Sequence, residues 1–411
     1  MSLQAAKIAF LEGSSPSMSQ LFEKTLVMIL CGGRGERLYP LTRDRSKPSV
    51  PFLGTFRIID FSLSNCLNSG LRRIALLTQY KSLSLERHIF SGWNIFHPES
   101  GGFVISLPAQ ERVGDRSYQG TADAVFQNIY SIQQENPEVV LLLSGDHVYK
   151  ADYGPMIRFY IEKEADAVVL AKPVPRQEGR RFGIMRIDEN SRITEFLEKP
   201  KNPPSLASDE NISLASMGIY LFKTPSLIRA VIQDAKNPRS SHDFGRDILP
   251  RLILEHRIYA YPHEGYWEDI GTIDAYWNSN MAFLSPAPPF DIHDAAWPFR
   301  TYQSQYPPSF IDRSTVHNSI ISPGCCISKS RIRNSIFSQG VRIGEDASIR
   351  DSIIFQGVRI GPRARLKRVI VDKYSIIPDG FVIGEDEKAD SRFFRIYGDG
   401  IRIVPKNWRP A

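Results

Sequence analysis

The chain has 411 residues, of which 42% are hydrophobic and 23% charged, and its 51 basic and 45 acidic residues give a net charge of +6. This length predicts two domains, and this composition is that of a globular protein. The net charge is too mild to indicate nucleic-acid binding, and the sequence shows no dense basic block, but the charge suits anionic small ligands.

The cysteines and the apolar runs exclude further classes of protein. The four cysteines are Cys31, Cys66, Cys325 and Cys326. They form no CxxC pair, so neither a zinc site nor a disulfide framework is indicated. The longest apolar runs, such as VVLLL at 139–143, are too short to cross a membrane. Residues 1–20 make a poor signal peptide and are expected to be a mobile leader, so a cytoplasmic location is the default expectation.

Residues 21–284 alternate short apolar runs with amphipathic stretches, which indicates an α/β domain. The expected strands are TLVMIL, RRIALLTQY, EVVLLLSGDH and DAVVLAKPV, in chain order. The expected helices between them are IDFSLSNCLNSG, TADAVFQNIYSIQQEN and YGPMIRFYIEKEA. This order predicts a mostly parallel sheet with helices on both faces, and burial on both sides explains unbroken runs such as VVLLL.

Residues 285–310 are rich in proline and are expected to be a linker. After them the pattern of the sequence changes. In residues 311–411 aliphatic side chains recur at every sixth position, and VRIG occurs twice. The aligned positions are Ile320, Cys326 and Ile332; Ile343, Ile349 and Phe355; Ile354, Ile360 and Leu366; and Val371, Ile377 and Ile383. A six-residue period predicts a parallel β-helix.

The first predicted strand runs into GGRGERL, at the sheet edge where ligands of α/β proteins bind. The glycines of this loop are Gly32, Gly33 and Gly35. Glycines allow backbone N–H groups to converge on an anion, and Arg34 adds a fixed positive charge. The motif is neither a P-loop nor a dinucleotide fingerprint, because no Gly-Lys-Ser/Thr follows and the third glycine is missing. A plain glycine-rich turn is the alternative.

Two lysines and two acids add to this loop. Lys47 in SKPSV and Lys199 in EKP are cations beside prolines, and each is suited to a phosphate. Asp146 follows the strand VVLLLS, and Asp269 stands in YWEDIGT. Two carboxylates from distant parts of the chain could share one Mg²⁺, which takes its other ligands from water and substrate phosphates. The alternatives are a turn cap for Asp146, a surface acid for Asp269 and solvated turns for the lysines.

Longer segments around these residues resemble one known family. They include GGRGERLYPLT, SKPSV, FRIIDFSLSNCLNSG, YQGTADAV, SGDHVYKADY, EFLEKP, SLASMGIYLF, SSHDFGRDILP and YWEDIGTIDAYWNSNM. From about Leu26 to the C-terminus the chain resembles the ADP-glucose pyrophosphorylases (glucose-1-phosphate adenylyltransferases) of bacterial glycogen synthesis. The resemblance implies a Rossmann-like nucleotidyltransferase domain, a left-handed parallel β-helix domain and a homotetramer. It also implies that ATP and α-D-glucose 1-phosphate react to give ADP-glucose and pyrophosphate, with Mg²⁺ as the cofactor.

The resemblance also implies a role for each matching residue. The glycine loop cradles the ATP phosphates, Arg34 stabilises the leaving pyrophosphate, and Lys47 acts at the same centre. Asp146 and Asp269 hold Mg²⁺. The residues placed against the base are Gln110 and Gly120. The residues placed against glucose 1-phosphate are Lys199 for its phosphate and Gly183, Glu198 and Ser216 for the sugar. Such a reaction depends on positioning and electrostatics, so no nucleophilic side chain is needed.

Regulation by anionic metabolites bound between the two domains is expected, because it is common in the family. The candidate basic residues are Arg45, Arg57 and Arg392, with Arg395 as a further candidate. Relatives that respond strongly to fructose 1,6-bisphosphate commonly carry lysine where this chain has Asp44. We therefore expect a less charged effector, such as fructose 6-phosphate or pyruvate, to act more strongly than the bisphosphate. The alternative is that Asp44 merely pairs with a neighbouring arginine.

Three other functions stay open at this point. The first is a relative that uses UTP, dTTP or GTP. The second is a catalytically silent regulatory subunit, against which Arg34, Asp146 and Lys199 argue, since such subunits tend to lose them. The third is a hexapeptide-repeat acyltransferase, whose histidine base could only be His317. Neither a nucleic acid nor a membrane is expected as a partner.

Overall fold

The computed structural model describes residues 18–109 and 117–410. Within them the chain forms an α/β domain, a connecting segment and a parallel β-helix. The predicted leader lies mostly outside the described residues, and its last three residues open helix α1 (Met18–Glu23). None of the helices in the described ranges combines the length and the apolar character needed to cross a bilayer.

The first domain is organised around a nine-stranded sheet in which β1 (Thr25–Cys31) is an interior strand. Two short strand pairs lie beside it, β2 (Pro51–Phe52) with β3 (Phe56–Arg57) and β7 (His147–Tyr149) with β13 (Trp267–Asp269). The other strands of the main sheet are β4 (Arg73–Thr78), β5 (Phe103–Pro108), β6 (Val139–Ser144), β8 (Ala167–Pro175), β9 (Gly183–Ile187), β10 (Ile193–Glu198), β11 (Ile212–Lys223) and β12 (Ile258–Pro262).

The main sheet has a parallel half and an antiparallel half. Strands β6, β1, β4 and β5 are parallel neighbours. Strand β11 runs antiparallel to β6, β8 and β9, and β9 runs antiparallel to β10. Strands β1 and β6 are buried along almost their whole length, as expected for strands covered on both faces. The predicted α/β class and its four strands are therefore confirmed.

Helices cover both faces of this sheet. Val27 and Ile29 enter one apolar core, whereas Leu26 and Met28 enter the other, so the side chains of β1 alternate between the two. The helices after α1 are α2 (Ile58–Asn68), α3 (Leu83–Gly92), α4 (Thr121–Gln127), α5 (Ile129–Glu135), α6 (Gly154–Glu162), α7 (Thr224–Ala235), α8 (Leu249–Glu255) and α9 (Ile273–Ala282).

The helix predicted over TADAVFQNIYSIQQEN is wrong as a single element, because Asn128 separates α4 from α5. The Asn128 side chain donates to the carbonyl of Ala124 at 2.8 Å and to the hydroxyl of Tyr118 at 3.0 Å. A side chain that bonds its own preceding turn competes with the helical backbone, and here the chain leaves helical geometry at that residue.

The second domain is a β-helix of three sheets of stacked parallel strands, and the third sheet ends in an antiparallel pair. The first sheet contains β14 (Phe310–Asp312), β17 (Cys326–Ser328), β20 (Arg342–Ile343), β23 (Arg359–Ile360) and β26 (Ile376–Ile377). The second contains β15 (Thr315–His317), β18 (Arg331–Arg333), β21 (Ser348–Arg350), β24 (Arg365–Lys367) and β27 (Val382–Ile383). The third contains β16 (Ile320–Ile321), β19 (Ile336–Phe337), β22 (Ile353–Ile354), β25 (Val369–Val371), β28 (Ile396–Tyr397) and β29 (Ile401–Val404), and helix α10 (Glu387–Asp390) precedes the last two.

The predicted β-helix is confirmed, but a strict six-residue period does not describe its core. Ile343 and Ile360 are register partners one coil apart, and seventeen is not a multiple of six. The six-residue alignment therefore drifts out of register. Cys326, which it placed in the core, is exposed, and its neighbour Ile327 is buried instead. Phe355 is buried, but it packs toward the first domain.

An apolar cluster joins the two domains. Phe355 of the β-helix approaches the ring of Tyr276 at 6.4 Å between centroids, and Tyr276 approaches Phe52 at 6.1 Å. The connecting segment adds to this cluster, because Phe290 and Phe299 contact the ring of Phe61. The residues between α9 and β14 form no helix or strand, and the exact domain boundaries stay a prediction.

Candidate active site

The loop after β1 combines an open glycine with a constrained one. A side chain at Gly33 would meet no atom within 4 Å. Gly35 has φ +65°, and a Cβ there would lie 3.0 Å from Thr42, so this position favours glycine on both counts. The Arg34 side chain is 77% exposed, and its nearest acid is Glu36 at 3.8 Å. Arg34 thus stands at the rim of an uncluttered backbone loop with little to hold it in place.

Lys47 connects two carboxylates that lie far apart in the sequence. Its side chain is almost buried, and its Nζ lies 2.5 Å from Asp146 and 3.0 Å from Asp269. Both carboxylates keep 27% of their side-chain surface exposed. The Ser144 hydroxyl donates to the second oxygen of Asp146. The structure therefore brings together three predicted site residues and adds Ser144, which the sequence analysis did not single out.

A three-residue ladder fixes the distance between the two acids. Strand β13 pairs antiparallel with β7, so that Asp269 stands opposite His147, the residue after Asp146. The ring nitrogen Nδ1 of His147 accepts from Trp267 at 3.2 Å. Because backbone pairing sets this register, the two carboxylates are held close without contacting each other.

Electrostatics keep this centre charged. Burial disfavours ionisation of the Asp146 carboxyl, but Lys47, His147 and the hydrogen bond from Ser144 outweigh burial and hold its pKa below the usual range. Burial likewise disfavours the Lys47 ammonium, and the attraction of Asp146 and Asp269 reverses this and raises its pKa. Two carboxylates and one ammonium leave a net negative centre in reach of solvent, which is suited to a cation.

The donor set at this centre fits a hard divalent cation. Asp146, His147 and Asp269 offer ligand atoms within 4.8 Å of one another. Carboxylate oxygens are the ligands that Mg²⁺ prefers, whereas imidazole suits softer metals, and one His147 nitrogen already accepts from Trp267. The two aspartates are thus the residues that could hold Mg²⁺.

Next to this centre lies a cavity of about 940 Å³ that Asp269 also lines. The other predicted residues in its wall are Gly183, Glu198, Lys199 and Ser216. The Lys199 ammonium lies 2.7 Å from the Glu198 carboxylate, and the lysine is the more exposed of the two. The polar walls of the cavity offer both hydrogen-bond acceptors and donors, as a sugar phosphate requires.

Two glycines leave room for the Glu198 carboxylate in the cavity wall. A Cβ at Gly183 would lie 3.0 Å from Glu198 Oε2 and 2.6 Å from the ring of Phe196. A Cβ at Gly245 would lie 2.5 Å from the same oxygen. This close approach explains why glycine stands at both positions and how the acid is oriented.

The predicted base-binding residues have different outcomes. Gln110 lies outside the described residues. Gly120 precedes α4 and packs so tightly on the segment after α7 that a Cβ would lie 2.3 Å from the carbonyl oxygen of His242. In that segment Asp243 accepts from Thr121 at 3.1 Å and lines the cavity. Glycine at position 120 is therefore explained by packing, and its proposed contact with the base stays a prediction.

The candidate effector residues are only partly brought together. Arg45 is buried and donates to Asp372 at 2.8 Å. Its other terminal nitrogen, Nη1, is buried and has no hydrogen-bond partner among the described residues. Arg57 is half-buried and donates to Ser84. Arg392 is exposed after α10, and no described contact joins it to Arg45 or Arg57, so its effector role stays a prediction.

Lys373 is the cation that the fold places beside Arg45 and Arg57. Burial lowers its pKa to about 7, and repulsion from Arg57 and Arg45 adds to this, while Asp372 opposes it. Arg57, Lys373 and His88 line a small cleft between the domains. The sequence offered no sign of this role, because Lys373 stands in an ordinary repeat and only the domain packing brings it here.

Asp44 has cationic partners, as the alternative interpretation expected. Its carboxylate lies 3.2 Å from Arg43 and 3.9 Å from Lys406 of the β-helix domain. These partners lower its pKa against the effect of burial. His317 is exposed on β15, and no described residue pairs with it to form a catalytic base.

Comparisons with known proteins identify the family of this chain. The Nucleotidyl transferase family matches residues 26–285, and the GlmU-like C-terminal hexapeptide family matches residues 308–404. Relatives named glucose-1-phosphate adenylyltransferase include those of Methylococcus capsulatus (43% identical, 96% of each chain) and Methylobacillus flagellatus (45% identical, 95% of each chain). A relative from Vibrio cholerae, named glucose-1-phosphate adenylyltransferase 2, is 44% identical over 94% of this chain and 99% of its own.

The α/β domain, its acidic edge and its matched family define a nucleotidyltransferase with a C-terminal hexapeptide β-helix. Sequence identity of this extent with these relatives, over nearly the whole chain, identifies a narrower family within the nucleotidyltransferases. The chain belongs to the glucose-1-phosphate adenylyltransferase family.

Proposed function

We propose that this chain is an active glucose-1-phosphate adenylyltransferase, which transfers AMP from ATP to α-D-glucose 1-phosphate and releases pyrophosphate. The observation that carries the proposal is the position of Lys47 between Asp146 and Asp269. Gly35 of the glycine loop packs against Lys47, and Asp269 lines the cavity that also contains Glu198 and Lys199. Two polyanionic substrates can therefore meet at one charged centre.

In this reaction a phosphate oxygen of glucose 1-phosphate attacks the α-phosphorus of ATP in line with the leaving pyrophosphate. The open backbone at Gly33 leaves room for the ATP phosphates, and the exposed Arg34 is positioned to accompany the leaving group. Lys199 pairs with the sugar phosphate, and Glu198 accepts from sugar hydroxyls. Lys47 stabilises the charge that develops at the reacting phosphoryl group.

Mg²⁺ held by Asp146 and Asp269 would supply positive charge to the ATP phosphates. Ser144 and Lys47 orient the Asp146 carboxylate, and the β7–β13 ladder orients Asp269. The protein itself thus contributes a pair of acids held at a fixed separation, with the Lys47 ammonium between them.

Release of pyrophosphate from glucose 1-phosphate with each of ATP, UTP, dTTP and GTP tests this function. We expect turnover with ATP and glucose 1-phosphate that needs Mg²⁺ and exceeds turnover with the other triphosphates. Preference for another triphosphate would favour the relatives that make other nucleotide sugars. Absence of turnover with any of them would favour a silent regulatory subunit.

We also propose that the interdomain cleft binds a phosphorylated metabolite that regulates this activity. Arg57 and Lys373 line the cleft, and the buried Arg45, which pairs with Asp372, adds positive charge that acts on Lys373. An anion in the cleft would relieve repulsion among these cations. A role in glycogen synthesis, a homotetramer and a cytoplasmic location are further expectations from the family resemblance.

A further inference from the structure

The basic residues of this chain are concentrated in one stretch of the β-helix. Residues 326–368 contain ten Lys and Arg but only three Asp and Glu, whereas the whole chain has a net charge of only +6. The rest of the chain is therefore slightly acidic. The sequence shows no dense basic block because these residues are spread along the repeats, and the fold is what gathers them.

Strand register stacks these cations into columns on the second β-helix sheet. Arg333 pairs with Arg350, and Arg350 pairs with Lys367. Arg331 and Arg365 belong to a second column, with a serine between them. All five side chains are exposed, while the residue between each flanking pair points into the core. Adjacent strands are ~4.8 Å apart, so the unbroken column of Arg333, Arg350 and Lys367 places cations at that spacing. We name these five residues the arginine face.

The arginine face lacks internal compensation. Among the described residues, only Arg365 has an acidic partner, which is Glu385 at 3.3 Å. On the adjoining sheet Arg342 stands directly opposite Arg359 and extends the basic surface. Like charges placed opposite each other on neighbouring strands destabilise a sheet. An external polyanion would remove this repulsion, and a second copy of the same face would increase it.

We propose that the arginine face binds a linear polyphosphate chain. Guanidinium groups match phosphate oxygens with two donors each, and four of the five residues are arginines. An extended acidic peptide presents one carboxylate per ~6.8 Å on each face, which is sparser than the cations of the unbroken Arg333, Arg350 and Lys367 column. The outward residues of β18, β21 and β24 include no aromatic ring, so the stacking that single-stranded nucleic acids use is absent there.

Binding of fluorescently labelled long-chain polyphosphate to the full-length protein tests this proposal. The test variant carries Arg333→Ser, Arg350→Ser and Lys367→Ser, since serine already occupies an equivalent outward position at Ser348. The control variant removes the same charge from exposed arginines of the first domain that have no described acidic partner. Its substitutions are Arg87→Ser, Arg192→Ser and Arg239→Ser.

We expect the test variant to bind at least about tenfold more weakly than wild type, with the control variant unchanged. The magnitude of the slope of log affinity against log salt concentration should decrease by about 2. The reason is that the variant has three fewer cations and therefore releases fewer counterions from polyphosphate on binding. Pyrophosphate release from ATP and glucose 1-phosphate should be unchanged, since none of the three residues lies near the proposed active site. Tripolyphosphate, which is short enough for the ATP site, should bind both variants alike.

Equal weakening in both variants, or weakening in neither, would overturn the proposal. Tighter binding of wild type to polyglutamate or to single-stranded RNA of matched charge would also overturn it and assign the face to those partners. The melting temperature of the test variant should not fall, because substitution removes repulsion. If that variant fails to fold, Arg350→Gln alone should still weaken polyphosphate binding about twofold, and unchanged binding would count against the face.

Discussion

The two domains of this chain differ in how their charged residues are arranged. In the first domain, Lys47, Asp146 and Asp269 come from distant positions and meet at one small, partly enclosed centre. In the β-helix, Arg333 and Arg350 are one coil apart and repeat along an open surface. The first arrangement suits a reaction between two small ligands, and the second suits an extended partner. The cleft between the domains resembles the first arrangement, because its cations are clustered. It differs in that these cations come from both domains.

The largest effect should come from the acidic centre. Asp146→Asn keeps the shape of the side chain and removes its charge, so turnover should fall at least about a hundredfold. Pyrophosphate release at saturating Mg²⁺ measures this effect, and Asp152→Asn on the exposed surface nearby is the control. Near-normal turnover of the Asp146 variant would remove this residue from the metal site.

A smaller and more selective effect should come from the sugar cavity. Lys199→Ala should raise the KM for glucose 1-phosphate about tenfold or more, with kcat and the KM for ATP nearly unchanged, because a cation paired with the ground-state phosphate gives mainly uniform binding. The exposed Lys201, two residues away, provides a matched control as Lys201→Ala. If only ATP binding suffers, Lys199 belongs to the other pocket.

The interdomain cleft should respond to pH through Lys373, whose pKa is lowered to about 7. The charged groups that act on this lysine are Arg45, Arg57, Asp372 and Lys406. A bound phosphate favours the protonated ammonium, so affinity should be high below pH 7 and should fall about tenfold from about pH 6.5 to about pH 8. Above about pH 6.5 the phosphate itself is largely a dianion, so its own titration contributes little.

Binding of fructose 6-phosphate, measured by calorimetry across this range, checks the pH dependence. Lys373→Arg keeps the charge at every pH and should abolish the dependence, whereas Lys373→Met should give weak binding throughout. An unchanged pH profile in the arginine variant would assign the titration to a group other than Lys373.

The smallest effect should come from Asp44, whose partner Lys406 also acts on Lys373. Asp44→Lys should tighten fructose 1,6-bisphosphate about fivefold, corresponding to about 1 kcal/mol of removed repulsion in a partly screened site. Asp44→Asn should give an intermediate result. If wild type already responds better to the bisphosphate than to fructose 6-phosphate or pyruvate, then the pairing of Asp44 with Arg43 and Lys406 is its whole role.

The sequence predicted the strands of both domains well, because burial on two faces and coil repetition both leave local patterns. It did not predict the break at Asn128, which depends on a contact with Tyr118. It also misplaced Cys326, since the coils on either side of it are sixteen residues long and slip against a period of six.

The site was predicted unevenly for a similar reason. Lys47, Asp146 and Asp269 were singled out because their motifs are specific. The end of β6 places Asp146, but Asp269 is brought to it by the separate β7–β13 ladder, which the sequence analysis did not predict. The role of Lys373 was missed, because neither its neighbours nor its spacing distinguish it from other repeat residues. Its environment exists only where the second domain packs on the first.

The ladder between β7 and β13 also bears on how such enzymes diversify. It brings the chain back to its starting point after an excursion over residues 150–266, which carries Gly183, Glu198 and Lys199. Both ends of the excursion are anchored beside Asp146 and Asp269, so the loops within it can be lengthened or replaced while the separation of these two acids is preserved. Evolution, or an engineer, could therefore exchange the sugar-recognition cassette and retain the same phosphoryl-transfer chemistry.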